Sequence, residues 1–134
     1  MNIIYQEHST PYYSIESINN SFPAHLHKEL ELTLVLSGEI DITIEEKVYH
    51  LQKGDMTITF PNQLHSTYTA ENSKILLMLF DAEYTQDYLS SVLNFMPSMP
   101  KIAHDNLPED VVYASDLQYC QLINGYCLKL LSLW

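Results

Sequence analysis

Up to about residue 80 the chain is built of short runs in which apolar and polar residues alternate: Tyr12 to Ile18, Glu29 to Leu36, Glu39 to Ile44, Lys47 to Leu51, Met56 to Phe60, Ser66 to Thr69 and Lys74 to Phe80. A period of two puts successive side chains on opposite faces of an extended backbone. The runs are rich in Ile, Val, Thr and Tyr, and they are punctuated by Ser37-Gly38, Glu45-Glu46 and Lys53-Gly54-Asp55. Seven or so strands at this spacing predict an all-β sandwich or barrel.

After Asp81 the period lengthens. Tyr84, Tyr88, Val92 and Phe95 fall on one face of a helix predicted over Glu83 to Met96, which Pro97 and Pro100 end. The stretch from Pro97 to Pro108 reads as a linker. A second helix begins near Asn106-Leu107-Pro108-Glu109-Asp110, where a capping residue, a first-turn proline and two acids favour a helix start. Val112, Tyr119, Ile123, Tyr126 and Leu130 form one apolar stripe on it, and Tyr113, Leu117, Cys120, Cys127 and Leu131 form a second beside it. That surface is wider than one packing face of a small domain requires; it either packs wholly on the core or also buries a face against a second copy, a homodimer through these helices. The last residues, Lys129 to Trp134, carry no glycine cap or proline stop, so the expectation is a chain cut from a longer one.

Charge narrows the class more than length does. The 134 residues make one domain of ordinary size. Seventeen acids stand against six bases, all lysine, for a net charge of −11. A nucleic-acid surface needs clustered Lys and Arg, so this chain by itself is not expected to bind DNA or RNA. Without the bidentate guanidinium fork, a neutral or cationic ligand or a metal suits it better than an anion. With 46% hydrophobic residues the chain is too apolar to be disordered, and no run approaches the roughly 20 apolar residues of a membrane span. Met1 to Glu7 has neither a basic nor a long apolar region, so the expected location is the cytoplasm. Cys120 and Cys127 lie seven apart on the second predicted helix, roughly 10 Å along its axis, too far for a disulfide. There is no G-x-S-x-G elbow and no phosphate-cradling glycine loop, and only three glycines in all.

The chemistry concentrates in His25-Leu26-His27-Lys28-Glu29-Leu30-Glu31. On a single unbulged strand His25, His27, Glu29 and Glu31 share one face, and Leu30, Leu32, Leu34 and Leu36 share the other. Two imidazoles and a carboxylate form the ligand set of non-haem iron sites; a third histidine would suit Fe, Mn, Ni or Zn. His65, directly after Pro61-Asn62-Gln63-Leu64, is available for that place. Tyr5, Tyr12, Tyr13 and Tyr68 fall where they would line a barrel mouth or its core. His8, His50 and His104 receive no role.

His25, His27, Glu31 and Gly38 meet in full the pattern H-x-H-x3-E-x6-G, and here the sequence resembles the cupins. Their second motif is met loosely, by Gly54, Pro61 and His65, with Thr69 in place of an asparagine. The run from His25 to Ser66 and the later Ile75 to Phe80 are similar to the effector-binding and dimerisation domain of AraC-family transcription regulators. The resemblance implies a mainly β fold: a cupin double-stranded β-helix, or jelly-roll barrel, over residues 1–82 with an N-terminal arm at about 1–10. Two C-terminal α-helices would follow in a dimerisation and linker segment, 83–134, packed on the barrel. It implies a small neutral metabolite, such as a sugar, held by His25, His27, Glu31, Thr33, His65 and Tyr12, no catalytic residue, and DNA contact only through a helix-turn-helix domain that this chain lacks. The alternatives are a metal-dependent dioxygenase- or isomerase-like cupin with His25, His27, Glu31 and His65 as ligands, and a barrel that serves only as a dimer scaffold.

Overall fold

The computed structural model describes residues 3–6, 12–81 and 100–102. They form nine strands: β1 (Ile4–Tyr5), β2 (Tyr12–Ile18), β3 (Phe22–Leu26), β4 (Leu30–Ile44), β5 (Lys47–Gln52), β6 (Met56–Thr59), β7 (His65–Tyr68), β8 (Ser73–Phe80) and β9 (Lys101–Ile102). The two predicted helices, with Cys120, Cys127, His8 and His104, lie outside the described residues. Among the described residues no helix is long and apolar enough to cross a membrane.

The strand predicted from Glu29 to Leu36 and the one from Glu39 to Ile44 are a single strand. β4 runs through Ser37-Gly38 with a shift of register between Val35 and Ser37, and Gly38 takes φ 72°. The expected turn is therefore a bend. It carries β4 from one sheet, where residues 30–38 pair with β6 and β8, into a second, where residues 39–44 pair with β5 and β7. The first sheet is completed by β2 on β8 and β9 on β6, the second by β3 on β7 and β1 on β3. One curled sheet thus folds over itself around an interior.

Alternation decides what each face meets. Ile40, Ile42, Ile44 and Leu51 point inward from the second sheet and pack with Val35 and Ile75 from the first, all buried. Leu30, Leu32 and Leu34 occupy the opposite face of the first sheet and are buried, whereas Leu36, beside the bend, is only half-buried. Two segments pair that the sequence reading left unpaired. Within the arm, Ile4–Tyr5 lies parallel to His25–Leu26. Within the expected linker, Lys101–Ile102 extends the first sheet beside Met56–Thr57, with Lys101 Nζ 3.5 Å from the buried carboxylate of Asp55.

Candidate functional site

The histidine motif is not one unbulged strand. β3 ends at Leu26, the backbone bends through Lys28 and Glu29, and β4 starts at Leu30. The motif's residues meet nevertheless. His25 on β3 stands opposite His65 on β7, and Glu31 projects from β4 between His65 and His27. The approach to His65 is held by its own loop: Asn62 N donates to His27 O at 2.8 Å, Phe60 N to Gln63 Oε1 at 2.8 Å, and Glu45 N to Leu64 O at 2.7 Å.

One ligand atom from each of His25, His27, Glu31 and His65 falls within 4.8 Å of the other three, and all four residues are buried. His27 Nε2 lies 2.9 Å and His65 Nε2 3.3 Å from Glu31 Oε2, while the Thr33 hydroxyl donates to Oε1 at 3.2 Å. Each imidazole donates its Nδ1 proton to a backbone carbonyl: His25 to Pro23 at 2.9 Å, His27 to Glu29 at 3.1 Å, His65 to Gln63 at 2.8 Å. A carbonyl only accepts, so in the neutral rings every Nε2 carries a lone pair. Three lone pairs and a carboxylate then converge, an arrangement that needs protons or a cation between them. Glu29, although buried like the others, contributes its carbonyl to His27.

Burial by itself would raise the pKa of Glu31, but the hydrogen bonds from His27 and His65 outweigh it and hold the carboxyl well below its usual range. His65 shows the matching competition: burial lowers its pKa, and the bond to Glu31 together with that charge raises it above the ordinary value. His25 is pushed down, first by burial and then by the neighbouring His65.

The donor set also fits a divalent ion. His25, His27, Glu31 and His65 are the residues that would hold it, each offering one ligand atom within 4.8 Å of the others. The backbone-anchored Nδ1 protons are the kind of support that orients metal-binding imidazoles.

His25 and Glu31 form part of the wall of a cavity of about 270 Å³ that reaches to Gln6 at the end of the arm. Tyr13, Ile15, Phe22, Leu77 and Leu79 give it an apolar wall; Ser17, Asn20 and Thr67 add polar groups. Of the sequence-selected residues, His25, His27, Glu31, Thr33 and His65 are thus brought together. The backbone of Tyr12 pairs with Phe80, and it is its neighbour Tyr13, opposite Leu79, whose side chain lines the cavity. The parity of Tyr12 to Ile18 carries that information, since Tyr13, Ile15 and Ser17 share one face. Phe22 was missed because Pro23 and the alternating histidines hide a strand.

On the outer face of the second sheet, His50 Nδ1 lies 2.6 Å from Asp41 Oδ1 and its Nε2 3.3 Å from Glu39 Oε2, all exposed to solvent. The hydrogen bond to Asp41 raises the His50 pKa. A raised value stabilises the fold below 6.5 and the gain is lost as pH rises through the folded value; for an exposed pair it amounts to a few tenths of a kcal/mol. Asp41→Asn is expected to bring the His50 titration, followed by NMR, back toward 6.5, and an unmoved curve would contradict the assignment.

Residues 5–114 match the family model described as the AraC-like ligand binding domain. The chain belongs to that family. Solved structures similar to the domain include several described as cupins. A cupin protein from Bacteroides fragilis is 23% identical, with a TM-score of 0.50, over 55% of this chain and 69% of that one. An RmlC-like cupin from Shewanella frigidimarina is 14% identical, TM-score 0.48, over 52% of this chain and 65% of that one, just under two thirds of its length. A cupin-2 domain containing protein from the same organism is 22% identical, TM-score 0.48, over 54% and 72%. These likenesses concern the fold. Among curated proteins, none matches the chain.

Proposed function

We propose that the chain is the small-molecule-sensing and dimerisation part of an AraC-type transcription regulator, working in the cytoplasm. It holds a small, non-anionic effector inside the barrel at His25, His27, Glu31, Thr33 and His65, with Tyr12 in the same segment as the cavity wall. One observation carries the reading: the family match over residues 5–114 encloses a buried His/Glu cluster that opens on a cavity large enough for a metabolite. Residues 83–134 form the dimer, and DNA is contacted by a helix-turn-helix domain outside this chain. Sensing then requires different effector affinity in two arrangements of the dimer. Reading the coding sequence past Trp134 tests the regulator context: two helix-turn-helix patterns downstream are expected, and a stop codon there removes it. Sedimentation should give a dimer, and a monomer well above micromolar concentration would remove that part.

A second reading, a metal-dependent cupin enzyme, is favoured by the three anchored Nδ1 protons, which leave every Nε2 with a lone pair to offer an ion, those of His27 and His65 beside the Glu31 carboxylate. His25, His27, Glu31 and His65 would hold the ion, and Fe, Mn, Ni or Zn would supply a Lewis acid with positions left for substrate. Elemental analysis separates the two: about one equivalent of metal, lost in the His25→Ala, His27→Ala double variant, favours the enzyme, and metal-free protein with an intact effector response favours the sensor.

A further inference from the structure

The polarity of the cavity is unevenly placed, which restricts what fits. Ser17, Asn20 and Thr67 bond among themselves and to the backbone: Asn20 Nδ2 donates to Ser17 Oγ at 3.0 Å, Thr67 Oγ1 donates to Asn20 Oδ1, and Phe22 N donates to Thr67 Oγ1 at 3.0 Å. Three residues further along β3, opposite a point two residues back on β7, the situation reverses. His25, 6% exposed, commits Nδ1 to Pro23, and its Nε2 lone pair has no donor among the described residues. Glu31 beside it is another acceptor. The rest of the wall is Tyr13, Ile15, Phe22, Leu77 and Leu79, with Gln6 and with Glu16, whose carboxylate is already paired with Lys74 Nζ at 3.2 Å. No lysine is part of the described wall, so an anion finds no charge partner there. A sugar carries hydroxyls all round its ring and would press several of them against the apolar wall, each losing its water without replacement.

We infer that the effector is a compact uncharged molecule with an apolar body of about one ring and a single hydrogen-bond-donating head, the head at His25 and Glu31 and the body against Tyr13 and Phe22. This rests on the barrel interior being the effector site. Size agrees, since a cavity of about 150 Å³ holds benzene and this one, at about 270 Å³, leaves room for a substituent.

The test uses the full chain and three probes by calorimetric titration: benzyl alcohol, D-xylose and benzoate. Saturable binding of benzyl alcohol is expected, weakened about tenfold by Tyr13→Ala, on the exposed strand β2, and at least as much by His25→Ala. Neither xylose nor benzoate should bind. The folded state of each variant is checked by its unfolding midpoint, and Tyr13→Leu, which keeps an apolar contact, should retain more affinity than Tyr13→Ala. No saturable binding of benzyl alcohol, or binding indifferent to both positions, overturns the inference. Xylose binding that His25→Ala abolishes overturns the ligand class while leaving the interior site standing, and binding of no probe at any His25-dependent site also removes the sensing reading.

Discussion

Glu31→Leu is expected to lower the unfolding free energy by about 3 kcal/mol, the low end for removing one partner of a buried pair. The carboxylate is buried, and it is the shared partner of two equally buried imidazoles whose Nδ1 protons are already committed to carbonyls. Leucine fills the volume but leaves both Nε2 atoms with no acceptor or charge beside them. Glu31→Gln, which keeps one acceptor, should lose less. The deficit depends on pH in a definite direction. The depressed Glu31 pKa stabilises the fold above 4.5, and that gain disappears only far into acid. The raised His65 pKa stabilises it below 6.5, and that gain disappears as pH rises through the folded value. In metal-free protein the Glu31→Leu deficit is therefore largest between these values and narrows above neutrality. Denaturant unfolding at pH 5.5 and pH 8.5 checks it; equal stability of variant and parent at pH 5.5 would show that the cluster is not coupled as its geometry indicates.

Gly38→Ala should cost about 2 kcal/mol or more, with little effect on the cluster itself. A Cβ at this position would collide with the Asn72 carbonyl and lie 2.7 Å from Asn72 Oδ1, and the backbone sits at φ 72°, where an L side chain adds about 1–2 kcal/mol of strain. Asn72 cannot withdraw freely, because its carbonyl accepts from Glu39 N at 3.1 Å. Unfolding midpoints would report the loss, and an unchanged midpoint would mean that β4 need not bend here. The last residue of the H-x-H-x3-E-x6-G pattern thus serves the curl of the sheet, and its first three build the buried cluster.

How much of this was legible in advance depends on whether the signal was local. The strand from Tyr12 to Ile18, the turn at Glu45-Glu46 and the loop at Lys53-Gly54-Asp55 were readable because alternation and turn residues act over a few positions. The short partners β1 and β9 were not: two residues carry no period, and they become strands only because Leu26 O and Ile58 N offer them hydrogen bonds at 3.0 and 2.9 Å. Ser37-Gly38 looked like a turn because a glycine with positive φ serves both a turn and a bend, and only the pairing of β4 with four other strands distinguishes them.

The sequence by itself determined the class of fold, the family resemblance and which side chains to look for in one cluster, since residue type and spacing are local properties of the chain. Tertiary structure decided the rest. It bent the backbone between His27 and Leu30, yet still brought His25, His27, Glu31 and His65 together, because β4 and β7 return the chain across the same interior. It chose Tyr13 for the cavity wall through the register of β2 on β8, and it oriented each imidazole through a carbonyl that no spacing rule names. Hydrogen-bond direction and register depend on which backbone groups meet across strands, and that is set only when the sheet has closed.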